Sequence, residues 1–302
     1  ASDVATARSN LGLEIGVDVQ AYDADLADLA DGTLSASKVE NNEFFITSAG
    51  TNGQIWTSDG DGAGGWGDNT AATNINGLTD ALVEDTGSMY VGNDPSSTTD
   101  AADYNLAVGV TALDAVTTGD YNTALGYSSL TDNTTGTSNA AYGSQSLFKN
   151  TTGNRNTAFG HQSMHQNTEG SHNTAVGYLT LKNTTANSNT AVGNLAMTEN
   201  ISGVDNVALG MSALRNSTAS NYNTAIGKRA LYDANRTADS DGYNIAVGYA
   251  AGYTGTNNIT TGNKNTLLGA STAAASAAAT NQTVIGYGAS GQADNSITLG
   301  NS

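Results

Sequence analysis

The chain has 302 residues, a formal net charge of −18, 36 glycines, one proline and no cysteine, and only 13% of its residues are charged. That acidity argues against partners that are themselves anionic, nucleic acid and lipid headgroups above all, and the missing cysteines exclude disulfides and thiolate chemistry. Gly, Asn, Thr, Ser and Ala dominate what remains, a composition that cannot build a thick Leu-rich core but suits short strands whose backbones stack closely.

Residues 1–35 form the first segment. Ala1-Ser2-Asp3-Val4 shows neither the basic nor the apolar region of a secretion signal, and no apolar run in the chain approaches the ~20 residues of a membrane span. Acidic residues concentrate in the first hundred positions, as at Asp23, Asp25, Asp28 and Asp31; they favour solubility in a salty medium, where screening weakens self-repulsion. Alternating Asp, Ala and Leu predict a short helix over Tyr22–Leu29. Residues 36–104 read as a Gly-rich linker with a small β region, in which Phe44, Phe45, Ile55, Trp56 and Trp66 are the candidate core. Within it, Gly60-Asp61-Gly62-Ala63-Gly64-Gly65 matches a dinucleotide-binding pattern but lacks the strand–helix context which that chemistry needs. Asp59, Asp61 and Asp68 lack the full ligand set of a calcium loop. Both stretches read as turns, and no cofactor or metal is expected.

From residue 105 to 302 one unit recurs, Asn-x-Ala-aliphatic-Gly. Clear copies include Asn122–Gly126, Asn139–Gly143, Asn156–Gly160 and Asn173–Gly177, and degenerate ones end the series at Gln282–Gly286 and Ser296–Gly300. The closing glycines are spaced 17, 17, 17, 17, 16, 17, 17, 21, 21, 17 and 14 residues apart. Four residues after most of them stands Leu or Met (Leu113, Leu130, Leu147, Met164), and an Asn/Thr/Gly turn follows. Seventeen residues are too few for a strand plus a full helix, and predict a coil of two strands and two turns. Coils stacked in parallel and in register at ~4.8 Å would make twelve layers roughly 55 Å tall. The aliphatic positions (Val108, Leu125, Tyr142, Phe159, Val176) and the alanines (Ala107, Ala124, Ala158, Ala175) are both expected to be buried, one set inside the coil and the other against a neighbour. The repeated Asn is expected to form a ladder bonding turn backbone one coil away, and the Gly to supply a left-handed or crowded conformation. So slender a coil leaves an apolar strand face uncovered, which predicts an obligate oligomer of identical chains.

These Asn-x-Ala-aliphatic-Gly repeats resemble the head of trimeric autotransporter adhesins (the YadA-like head) and related repeats in tail fibres of marine phages. The resemblance covers about residues 105–300 and departs from the family in its longer, mostly 17-residue period. It implies an all-β, left-handed parallel β-roll assembled as a homotrimer. Ala7–Gly16, continuing through Val19–Leu26, resembles a recurrent tail-fibre module, and Gly53–Gly60 with Gly65-Trp66 is similar to a linker common in such fibres. Asp294–Ser302 resembles the stretch preceding a C-terminal intramolecular chaperone of the endosialidase type, which implies a longer precursor.

No nucleophile elbow or metalloprotease motif is present. Asp114, Asp120, Asp132, Glu169, Glu199 and Asp205 fall in turns without the close pairing that glycan cleavage needs. His161, His165 and His172 are read as tolerated surface residues rather than metal ligands. Eight Asn-x-Ser/Thr sequons, at Asn133, Asn150, Asn183, Asn200, Asn216, Asn235, Asn258 and Asn281, are read as turn chemistry rather than glycan acceptors. The expected function is therefore non-enzymatic: an attachment fibre on a virion tail, joined through its N-terminal part to tail or baseplate proteins and binding a host glycan or protein receptor multivalently. A bacterial trimeric surface adhesin is the alternative, and a polysaccharide-degrading tailspike the weaker one. Loops inserted at Asp233–Asp241 and Gly255–Gly262 make the 232–262 region the candidate receptor contact, with Tyr243, Tyr249, Tyr253, Asn257 and Asn258 suited to carbohydrate.

Overall fold

The computed structural model describes residues 54–57, 65–68, 81–83, 87–92, 101–235 and 241–300. The chain divides into two compact units, 1–73 and 74–302. The helix expected over Tyr22–Leu29 and the candidate core residues Phe44 and Phe45 lie outside the described residues. In the first unit β1 (Gln54–Thr57) pairs antiparallel with β2 (Gly65–Asp68), bringing Trp56 opposite Trp66. The Gly-rich stretch between them, residues 58–64, lies outside the described residues.

The second unit opens with an antiparallel pair, β3 (Ala81–Val83) and β4 (Met89–Val91). β4 then starts a parallel ladder: β5 (Leu106–Val108), β6 (Thr123–Leu125), β7 (Ala140–Tyr142), β8 (Thr157–Phe159), β9 (Thr174–Val176), β10 (Thr190–Val192), β11 (Val207–Leu209), β12 (Thr224–Ile226), β13 (Ile245–Val247), β14 (Thr266–Leu268), β15 (Thr283–Ile285) and β16 (Ile297–Leu299). Each repeat contributes one strand and pairs with the next in register, Ala124 beside Ala141 and Ala141 beside Ala158. The unit is an all-β parallel solenoid of about twelve coils, and no helix occurs among the described residues.

The strands are only three residues long because the closing glycine ends each one. Gly126 has φ +135°, and a Cβ there would lie 2.7 Å from the carbonyl carbon of Gly143 in the next coil. Only glycine combines that conformation with that approach. The second half of each coil differs from the expected second strand. It consists of turns in which non-glycine residues adopt the left-handed region, as at Ser128 (φ 52°) and Leu130 (φ 51°). Coil-to-coil bonding continues regardless: the Leu130 N–H donates to the Ser146 carbonyl at 3.0 Å, and the Leu147 N–H to the Ser163 carbonyl at 3.0 Å.

The interior is thin. Strand alanines from one side meet Leu113, Leu130, Leu147, Met164, Leu181, Met197, Leu214 and Leu231 from the other, all fully buried. The outer strand positions do not share that interior. Leu125 is 46% exposed and Phe159 56%, while Val108, Tyr142 and Val176 are half-buried. The pleat that points Ala124 inward necessarily points Thr123 and Leu125 outward. In a single chain, then, the alanines are covered and the aliphatic set is not.

Two polar ladders run through the stack. Asn105, Asn122, Asn139, Asn156 and Asn173 are buried, and each Oδ1 accepts the backbone N–H of the Asn one coil on, as from Asn122 to Asn105 (2.8 Å) and from Asn139 to Asn122 (3.0 Å). Each Nδ2 donates to the turn carbonyl of the adjacent coil, Asn122 to Gly136 (2.9 Å) and Asn139 to Gly153 (2.8 Å). A second ladder links the turns: Asn150 donates to Asn133 Oδ1 (2.7 Å) and Asn167 to Asn150 Oδ1 (2.8 Å).

Candidate functional site

Two surfaces stand out against this regular frame. The first is the outward face of the parallel sheet. It carries Thr or an aliphatic residue on one row (Leu106, Thr123, Thr157, Val207, Ile245) and an aliphatic or aromatic residue on the other (Leu125, Phe159, Leu209, Val247, Ile285). Equivalent side chains stack coil upon coil, as Tyr142 does on Phe159 with ring centroids 5.6 Å apart. A continuous apolar row whose members are half-buried to exposed is the signature of an interaction surface.

The second is a depression of about 510 Å³ near the longest coils. Its origin lies in one column of the repeat, the second residue after each closing glycine. This column reads Thr111, Ser128, Gln145, Gln162, Leu179, Leu195, Ser212, Arg229, Ala250, Ser271 and Gly288. Below Arg229 the column shrinks to Ala250, Ser271 and Gly288, leaving a hollow floored by small residues, with Ala273 and Ser290 beside them. The extra residues of the 21-residue coil, Tyr253–Asn257, rise along its edge, and Tyr249 forms a further wall.

That edge is firmly held. Ile259 is fully buried and its N–H donates to the Gly252 carbonyl at 2.9 Å. Asn258 Oδ1 accepts the Gly255 N–H (2.7 Å), and its Nδ2 donates to Asp233 (3.0 Å). Tyr253 lies against the Tyr232 ring at 4.7 Å, and Arg215 donates to the Tyr232 hydroxyl at 2.8 Å. The loop is thus braced from beneath before any ligand arrives.

Of the five candidate contact residues, Tyr249, Tyr253 and Asn257 line this depression. Asn258 shapes the loop instead. Tyr243 sits on another column, stacked on Tyr222 at 4.9 Å, with its hydroxyl pKa raised chiefly by a hydrogen bond with Asp241. Arg229 was not legible from loop length alone; the signal that reveals it is the column of small residues following it, visible once the coils are aligned by their glycines.

The histidines have different partners: His161 stacks on Tyr178, His165 on Phe148, and His172 Nε2 lies 3.1 Å from Arg155. Among the described residues no group of three or more His, Asp or Glu is placed to hold a metal ion. Several turn carboxylates serve the stack itself: Asp132 pairs with Lys149 at 3.2 Å, Asp120 accepts the Asp103 N–H, and Glu199 accepts from Asn183. Three sequon asparagines, Asn133, Asn150 and Asn200, are fully buried in the turn ladder, where no glycan could be attached.

No protein-family model matches the chain, and no curated protein is similar to it.

Proposed function

We propose that this chain is an attachment fibre of a phage or phage-like particle, working as a homotrimer of left-handed coils that holds receptor-binding surface away from a virion tail. The observation that carries this reading is the apolar row on the outward sheet face, half-buried to exposed along the solenoid in a single chain. Covering a half-exposed Leu, Val or Phe gains about 1 kcal/mol. Repeated over twelve coils on each of three chains, that is comparable with or larger than the roughly 4–15 kcal/mol cost of association. Rotational symmetry lets each chain cover its neighbour with the same surface.

In this reading the N-terminal region joins tail or baseplate proteins, and the chain acts by binding rather than by chemistry. Three equivalent sites on one rigid stem raise the effective concentration of weak contacts with a host glycan or protein. The experiment is immunogold electron microscopy with an antibody against residues 105–300, applied to particles and to the host that releases them. Label on tail fibres is expected. Label confined to the bacterial envelope would overturn the reading in favour of a surface adhesin.

A further inference from the structure

We infer that the depression beside Arg229 is a binding site for a carboxylate-bearing sugar residue. This deepens the attachment reading and rests on it. The chain carries 28 acidic residues against 10 basic ones, so an exposed cation lining a hollow with no ion-pair partner among the described residues is informative. Among the described residues no carboxylate ion-pairs with Arg229: Asp132 pairs with Lys149, and Asp233 accepts from Asn216 and Asn258. Arg229 is the one charged residue among the described residues that line the depression.

The rest of the lining supplies what a sugar ring needs. Tyr249, 51% exposed, and the braced Tyr253 offer flat apolar faces. Asn257, Ser271 and Ser290 offer amide and hydroxyl groups around the same space. A guanidinium matches the planar, bidentate geometry of a carboxylate better than any other side chain. The volume, about 510 Å³, suits one or two sugar residues rather than a long chain. None of the lining residues belongs to the outward strand face, whose rows here are Ile245, Val247, Thr266, Leu268, Thr283 and Ile285. The site and the proposed trimer contact therefore use different surfaces.

The test is titration of the full chain with glucuronate, galacturonate and N-acetylneuraminate, and with glucose, galactose and N-acetylglucosamine, read by saturation-transfer NMR and calorimetry. At least one acidic sugar should saturate with a dissociation constant on the order of 1 mM, and its neutral counterpart should bind about tenfold more weakly. R229Q should lower acidic-sugar binding about tenfold and leave neutral-sugar binding unchanged. S271Q should block both, because Gln145 and Gln162 occupy the same column position without disturbing the coil (their side chains pair at 2.7 Å). Unchanged melting temperatures in both variants confirm intact folding. Equal binding of acidic and neutral sugars, full acidic-sugar binding by R229Q, or saturation by no acidic sugar would each overturn the inference. Fibre label on particles with no acidic-sugar binding removes the site and spares the attachment reading; sugar binding with label off the fibre does the reverse.

Discussion

Asn139 shows how much one side chain does in this fold. Its Nδ2 donates to the Gly153 carbonyl, its Oδ1 accepts the Asn156 N–H, and its own N–H is held by Asn122, all in the buried interior between coils. N139A would leave the buried Asn156 N–H without a partner, while the Gly153 carbonyl keeps its bond from Asn150 (3.0 Å), and should cost about 2 kcal/mol in urea denaturation. A substitution at exposed Ser138, next to it, should cost far less if the new residue tolerates φ 60°. His165 carries the pH response of the half-buried surface. Burial, then Lys182, Lys149 and His161, hold its pKa below the usual 6.5. The folded state therefore resists a proton that the unfolded chain takes up near pH 6.5, so the unfolded chain binds more protons and stability falls as pH drops below that value. In melts between pH 7.5 and 5.5, H165Q should show a weaker decline than the parent chain.

At the scale of one coil, regularity is enforced by the ladders, and the structure shows where one is interrupted. The 16-residue coil places Thr184 where its neighbours carry Asn167 and Asn200. Asn200 donates to Thr184 at 3.2 Å, but the Oδ1 atoms of Asn167 and Asn200 are buried without a partner. T184N offers an amide to the Asn167 oxygen, as Asn150 does to Asn133, and should raise stability by about 1 kcal/mol; a loss of stability would mean that the shorter coil has no room for the ladder. The strand half of the coil was legible because its period-two pattern and its glycine each have a direct physical meaning. The other half was not. Ser128, Gln145, Leu130 and Leu147 all lie in the left-handed region, yet none is a residue type that favours it, since the conformation is imposed by stacking and by burial of the Leu rather than by local preference. For the same reason the loop tyrosines could be found by coil length, whereas Arg229 acquires its setting from Ala250, Ser271 and Gly288 in later coils.

For the whole repeat region the unresolved balance is between a narrow interior and an apolar exterior. Alanine and one Leu or Met per coil bury little surface, while Leu125, Phe159, Leu209 and Ile285 remain well exposed in a single chain. The last strand, β16, leaves Ile297 and Leu299 open as well. If sister chains cover these residues, assembly and folding are coupled. The most direct measurement is sedimentation equilibrium on the purified chain at micromolar concentration, with L125K/L209K in parallel. The parent should sediment at three times its 30.5 kDa chain mass, and the double variant should shift toward monomer or lose its strand signal. A parent chain that remains a folded 30.5 kDa monomer, with the apolar row open to water, would contradict the account.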